Sequence, residues 1–326
     1  MAASTLPETL AESFAVEKIA EHEFMSKVPP ASMGNRTPIA YGGCTTAAAV
    51  NAACQTVKPG FYMYSLLGYF LGPAVTDRRV KCFVYHSRDT KTFATRRVVV
   101  SQMLDNGTDR KCLELIADFQ VAEPASAMEF YPPPERQYKR PTVTTQQLRD
   151  QYVEEGKIDK QTGALLDTMF ALSGKYFDQI PAPEGVSGQN CMGFAKHLNT
   201  DQDHLHITEK FSAEWHRAKG SLPTTADQMA SLAWAMDGGL SFIPLIHDHK
   251  YLEDVGACSS LDFSLRLFTN NFDFTKWHIK ERKAIAGQGG RTYSEARLFD
   301  EHGQLVAMES QQSIMRPLPS GVKPKL

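Results

Sequence analysis

The residue in this chain best placed to do chemistry is Asp237, because of what precedes it. Ala226, Met229, Ala230, Ala233 and Trp234 recur at i, i+3, i+4, i+7 and i+8, the spacing of one helical face, and Asp237 is the next position on that face. Leu232, Ala235 and Met236 make most of the remaining circumference apolar, which predicts a helix buried nearly all round. A carboxylate in the last turn of such a helix meets the negative end of the helix dipole, and burial penalises its charge. Two readings fit: a frayed helix end with Asp237 solvated, or a carboxylate held at the bottom of a pocket for chemistry. His204-Leu205-His206 and His247-Asp248-His249 resemble metal-ligand pairs, but no third ligand stands at a recognisable spacing, so no metal is expected.

The elements around Asp237 have their own signals. Thr224 or Thr225 can cap the helix, with Asp227 placed to answer Thr224 in a capping box. Gly238-Gly239 end it, where a left-handed turn is easily adopted. A second helix of very small side chains runs from Thr45 to Cys54, after Gly42-Gly43 and before Pro59-Gly60, and its small residues imply close packing inside a curved sheet. Strands are predicted at 62–71, 80–88, 93–103 and 112–121, with Asp105-Asn106-Gly107 as a hairpin turn. Strands are also expected at 207–216, 259–268, 277–286, 292–299 and 305–315, with a last turn at Asp300-Glu301-His302-Gly303. Residues 13–28 read as one or two strands. Prolines 124, 132–134 and 141 mark a linker whose charged stretch after Thr144 is open to helix. Residues 165–177 fit a short helix and 181–193 a loop.

The order strand, helix, then about four strands therefore occurs twice. Thr45-Thr46-Ala47 matches Thr224-Thr225-Ala226, and Ser65-Leu66 matches Ser260-Leu261. Phe93-Ala94-Thr95-Arg96 stands where Gln288-Gly289-Gly290-Arg291 stands. On the helix anchor Asp237 falls opposite Lys58, so one of the two copies carries the acid. The fold expected is α+β, a double hotdog: two antiparallel sheets, each wrapped around a central helix, packed as a pseudo-dimer. The expected domains are 1–122 and 201–318, joined by a linker at 123–200 and followed by a tail at 319–326.

Bulk properties narrow the function. The chain has 326 residues, 42% hydrophobic and 22% charged, with a net charge of -2, which gives no electrostatic reason to expect a nucleic-acid partner. The six cysteines form no Cys-x-x-Cys pair and read as reduced intracellular thiols. Met1 to Leu10 has no secretory pattern. The longest uncharged apolar run, Phe61 to Val75, is broken by Gly68 and Pro73 and is too short to span a bilayer. Pro324-Lys325-Leu326 is a close variant of the Ser-Lys-Leu address, which predicts a peroxisomal import receptor as partner and the peroxisomal matrix as location.

Several stretches resemble the acyl-CoA thioesterase II family, the TesB-like and peroxisomal acyl-CoA thioesterases. Arg88 to Val98 is similar to that family's RDGxxFATRRV segment, and Gly42-Gly43 with the Ala-rich helix to its glycine–helix region. Tyr64 to Leu71 resembles its HSLHxYFL strand, Ser259 to Ser264 its SLDHS strand, and Gln304 to Arg316 its C-terminal ending. The resemblance implies a catalytic group of Asp237, Ser260 and Gln311. The family's His in SLDHS is Phe263 here. Gln312 competes with Gln311 for the inward position, since neighbours on a strand face opposite ways.

The activity implied is hydrolysis of fatty or other acyl-CoA to free acid and coenzyme A, in lipid metabolism and without a further cofactor. The carboxylate takes a proton from a water or orients it, while a hydroxyl and an amide fix the water's approach. Ser260 lacks a Gly-x-Ser-x-Gly elbow and reads as a water-orienting hydroxyl rather than a nucleophile. Arg96 and Arg97 are open to contact with coenzyme A phosphates or to ion pairing on a strand face. The alternatives are a hotdog enoyl-CoA hydratase or dehydratase, for which His247 to His249 is the nearby candidate, and a non-catalytic acyl-CoA binder. Sheet edges would permit a homo-oligomer.

Overall fold

The structure, a computed structural model, describes residues 6–34 and 38–321; the tail signal at Pro324-Lys325-Leu326 lies outside them. In chain order the elements are α1 (Leu10–Phe14), β1 (Val16–Lys18), β2 (Glu23–Ser26), α2 (Gly42–Cys54), β3 (Phe61–Phe70), β4 (Lys81–Asp89), β5 (Phe93–Met103) and β6 (Asp109–Val121). There follow α3 (Thr145–Glu154), α4 (Lys160–Met169), α5 (Ala171–Tyr176), β7 (Phe177–Pro181), α6 (Val186–Gln189) and β8 (Ser212–Ala218). The chain continues with α7 (Thr225–Met236), α8 (Ile243–His247), β9 (Ala257–Leu267), β10 (His278–Gln288), β11 (Arg291–Asp300) and β12 (Leu305–Arg316).

Three local differences from the sequence reading have local causes. The segment 13–28 is entered by a short helix because Thr9 and Glu12 form a capping box. The strand expected from residue 207 begins at Ser212, because His206 to Lys210 closes a turn held by the Glu209 side chain on the His206 N–H. The 181–193 segment carries α6, and a turn in which Cys191, Met192 and Gly193 all have positive φ.

Two compact units are built from the chain. Unit 1 takes in the chain through Tyr131 together with Ala218–Gly238 and Ser264–Thr275. Its strands run in the order β3-β6-β5-β4-β2-β1. Helix α2 packs against β4, β5 and β6 on one side and against α7 on the other. The small residues of α2 permit this approach. A Cβ on Gly43 would lie 2.5 Å from the Trp234 carbonyl oxygen, and the Tyr41 hydroxyl donates to that same oxygen at 2.7 Å. Tyr41 and Trp234 also meet edge to face at 4.8 Å.

Unit 2 is Pro132–Arg217, Gly239–Phe263 and Lys276 onward. Its strands run β9-β12-β11-β10-β8-β7. That is the connectivity of unit 1 with each strand number raised by six, so the duplication read from sequence is present in the strand order. The two faces of β10 carry buried charge of different kinds. One face holds Lys280 and Arg282 beside Glu214 of β8. The other holds Glu281, whose carboxylate accepts from the Glu135 N–H and the Tyr138 hydroxyl, both at 2.6 Å, and pins the connecting segment to the sheet.

Candidate active site

Helix α7 begins as the sequence predicts. Thr224 accepts from the Asp227 N–H at 3.1 Å, and the Asp227 carboxylate accepts from the Thr224 N–H at 3.1 Å. Every residue from Met229 to Met236 is buried. Asp237 is the C-cap, with helical backbone angles and only 9% exposure, so the frayed and solvated reading fails. The carboxylate also has compensation for the negative end of its own helix. Its Oδ2 lies 2.9 Å from where a Cβ on Gly42 would stand, over the first turn of α2. The positive end of α2 therefore faces the acid. Cys44, in that same turn, registers the charge: burial pushes its thiol up to about 11, and Asp237 adds to the rise. At the position matched to Asp237 in the first copy stands Lys58, which is exposed.

The chain leaves α7 through Gly238-Gly239. Gly239 has φ +93, and a Cβ there would fall 2.0 Å from the Arg282 guanidinium. Only glycine combines this backbone with this approach. Arg282 is itself fixed, with Nη2 3.1 Å from Glu214, whose other oxygen meets Lys280 at 3.0 Å. Burial alone would raise the Glu214 pKa, but the two flanking cations outweigh it and hold the carboxyl well below its usual range.

Two residues past this turn lies Ser241, where Ser260 and Gln311 meet. The Ser241 Oγ is 3.1 Å from Ser260 Oγ, 3.1 Å from Gln311 Oε1 and 2.9 Å from Ser313 Oγ. Of the three residues carried over from the family, Ser260 and Gln311 thus share one partner within unit 2. Asp237 stands at the C-cap in unit 1, four residues before that partner. The strand pleat settles the glutamine: Glu309, Gln311 and Ser313 are buried on one face of β12, while Gln312 is on the other. Ser241 itself escaped the sequence reading. It follows a glycine turn outside any periodic element, and no spacing rule links it to strands β9 and β12.

Other groups near this cluster are restrained. The Cys258 thiol donates to the Ser241 carbonyl at 3.4 Å, and burial pushes its pKa up to about 12, so it stays protonated. Asp262 lies two residues beyond Ser260 on the same strand face, and burial raises its carboxyl above the usual range. Phe263, at the family's histidine position, is buried.

The remaining sequence candidates have structural partners. His247 Nε2 lies 3.0 Å from Ser212 Oγ. Burial first, then the Lys210 and Arg282 charges, lower its pKa to about 3. His249 bridges Asp203 at 2.8 Å and the Lys196 carbonyl at 3.2 Å. His206 Nδ1 is 2.8 Å from Thr208 Oγ1. Arg96 is buried, paired to Asp89 at 2.7 Å and bonded to the Thr56 side chain and carbonyl. Arg97 pairs with Glu114 at 2.6 Å and lies over the Tyr85 ring. Both arginines are thus ion-paired. Among the described residues, no group of three or more His, Cys, Asp or Glu is placed to hold a metal ion, and no helix is long and apolar enough to cross a membrane.

A duplicated sheet with a helix packed into it defines a hotdog protein, and comparison with known proteins places it further. Residues 29–120 match the acyl-CoA thioesterase N-terminal domain family and residues 177–315 the acyl-CoA thioesterase C-terminal domain family. The chain belongs to the acyl-CoA thioesterase family, a family of thioester hydrolases. It is 23% identical over 281 residues to acyl-CoA thioesterase 2 of Haemophilus influenzae, covering 85% of this chain and 87% of that one. In fold it is similar to the acyl-CoA thioesterase II TesB2 of Mycobacterium marinum, with TM-score 0.68, 20% identity, and 96% and 98% of the two chains covered. A putative thioesterase II of Thermobifida fusca gives TM-score 0.66 at 15% identity, with 95% and 98% covered.

Proposed function

We propose that this protein hydrolyses acyl-CoA thioesters through a water positioned by Asp237, Ser260 and Gln311. The observation that carries the reading is the Ser241 junction. It joins the hydroxyl of Ser260 on β9 to the amide of Gln311 on β12, four residues along the chain from the buried Asp237. Asp237 accepts a proton as the water oxygen bonds to the thioester carbonyl carbon. The C–S bond then breaks, the electron pair leaves with sulfur, and the proton passes to the departing thiolate. The products are the free acid and coenzyme A, and water is the co-reactant. Ser260 and Gln311 supply the water's remaining hydrogen bonds, so their contribution is positioning.

The low pKa of His247 and its bond to Ser212 make it a poor base and weaken a dehydratase reading that would use it. The test is thiol release from short, medium and long acyl-CoAs, followed with a thiol-reactive dye. Asp237→Asn should lose at least 100-fold in kcat, on the order expected for a positioned base, while keeping the wild-type melting temperature. A folded Asp237→Asn enzyme with undiminished turnover would refute the mechanism.

A further inference from the structure

Ser241 does more than touch its neighbours: its hydrogen-bonding capacity decides which way their protons point. A serine hydroxyl has one proton to donate and two lone pairs to accept with. Ser241 has three partners, so its capacity is full. Gln311 Oε1 is an amide oxygen and can only accept, so the single Ser241 proton goes there. The other two bonds must run inward, with Ser260 and Ser313 each donating to Ser241 Oγ.

Two consequences follow from this ordering. The Ser260 proton is already committed, so Ser260 presents only lone pairs to anything else and acts as an acceptor. Gln311 for its part turns its amide oxygen to Ser241 and accepts the Ser241 proton there. A water meeting Ser260 is therefore given a direction. It donates one hydrogen to Ser260, while its second hydrogen remains for a base and a lone pair for an electrophilic carbon.

We infer that Ser241 is a positioning residue that sets the proton direction of the Ser260–Gln311 pair and so orients the attacking water. The inference rests on the hydrolase reading above. The Ser241 carbonyl holds the Cys258 thiol, and the Arg282-braced Gly239 turn leads into Ser241, so the backbone that carries the hydroxyl is restrained on both sides.

The test is a double-mutant cycle in thiol-release kinetics on the full chain: wild type, Ser241→Ala, Ser260→Ala and the double variant, with Asp237→Asn and Ser313→Ala alongside. Ser241→Ala should lower kcat by roughly 10- to 100-fold with KM nearly unchanged, because Ser241 acts on the water through Ser260 and has no contact with the substrate. In the Ser260→Ala background the same substitution should cost far less, since its partner is already gone. Ser313→Ala should cost only about threefold, because the Gln311 oxygen still directs the Ser241 proton. Melting curves check each fold, and Ser241→Cys, close in size but a weak donor, should repeat the kcat loss if the alanine variant unfolds. Equal losses in the two backgrounds, or a Ser241→Ala effect confined to KM, would overturn the inference while leaving Asp237 untouched. An active Asp237→Asn with strong Ser241–Ser260 coupling would instead overturn the role of the acid and keep Ser241.

Discussion

Gly42→Ala separates function from stability in a way the geometry makes quantitative. Gly42 is the first residue of α2, and an added Cβ would lie 2.9 Å from the Asp237 carboxylate and 2.9 Å from the Phe70 ring edge. Ordinary contact begins near 3.4 Å, so the carboxylate must retreat by about 0.5 Å. Moving the ring alone does not relieve the oxygen. A misplacement of about 1 Å at a reacting group can cost on the order of 100-fold in rate, so half of that predicts about a tenfold fall in kcat, or ~1.4 kcal/mol. The fold should barely notice. Alanine is the better helix former by up to about 1 kcal/mol, which offsets the crowding of two side-chain ends. The assay is steady-state thiol release beside a thermal melt. A Gly42→Ala protein with wild-type kcat and an unchanged melt would mean that the position of Asp237 does not matter to turnover, and Asp237 would not be the base.

The neighbouring Gly43→Ala should do the reverse. Its Cβ would strike the Trp234 carbonyl and the Tyr41 ring, so the α2–α7 contact must open and chemical denaturation should show a loss of about 2–3 kcal/mol. Thr224→Ala removes the N-cap of α7 and should cost about 1 kcal/mol, seen as a modest fall in melting temperature. Glu214→Gln removes the carboxylate that Lys280 and Arg282 share, and should destabilise by roughly 3–5 kcal/mol in urea; a neutral result would show that other groups, such as the Glu309 carboxylate that also acts on Lys280, balance the two cations. Acid sensitivity follows from His216 and His247, whose burial lowers their pKa values to about 4 and about 3. Both are neutral in the folded protein, whereas in the unfolded chain they protonate below about 6.5. Between these limits the unfolded state binds more protons. Stability should therefore fall as pH drops through about 6.5 toward 4, by about 1.4 kcal/mol per pH unit for each histidine. Urea midpoints across that range measure the slope, and His247→Gln should roughly halve it.

Much of this protein was legible from its sequence because local rules governed it. The capping box at Thr224 and Asp227, the apolar circumference of α7 and the turns at Gly107 and Gly303 are interactions over three or four residues, and each appears where the sequence puts it. The duplicated order of elements was likewise visible, since hydrophobic period and turn chemistry recur in both halves. Long-range placement was not legible. That Asp237 is relieved by the dipole of α2 depends on helices joined by 170 residues of intervening chain. The choice of Gln311 over Gln312 depended on which face of β12 is buried. Ser241 carried no signal at all until the fold brought β9 and β12 to it. Its role comes from a count of donors and acceptors around one oxygen, and such a count exists only once the chain has closed on itself.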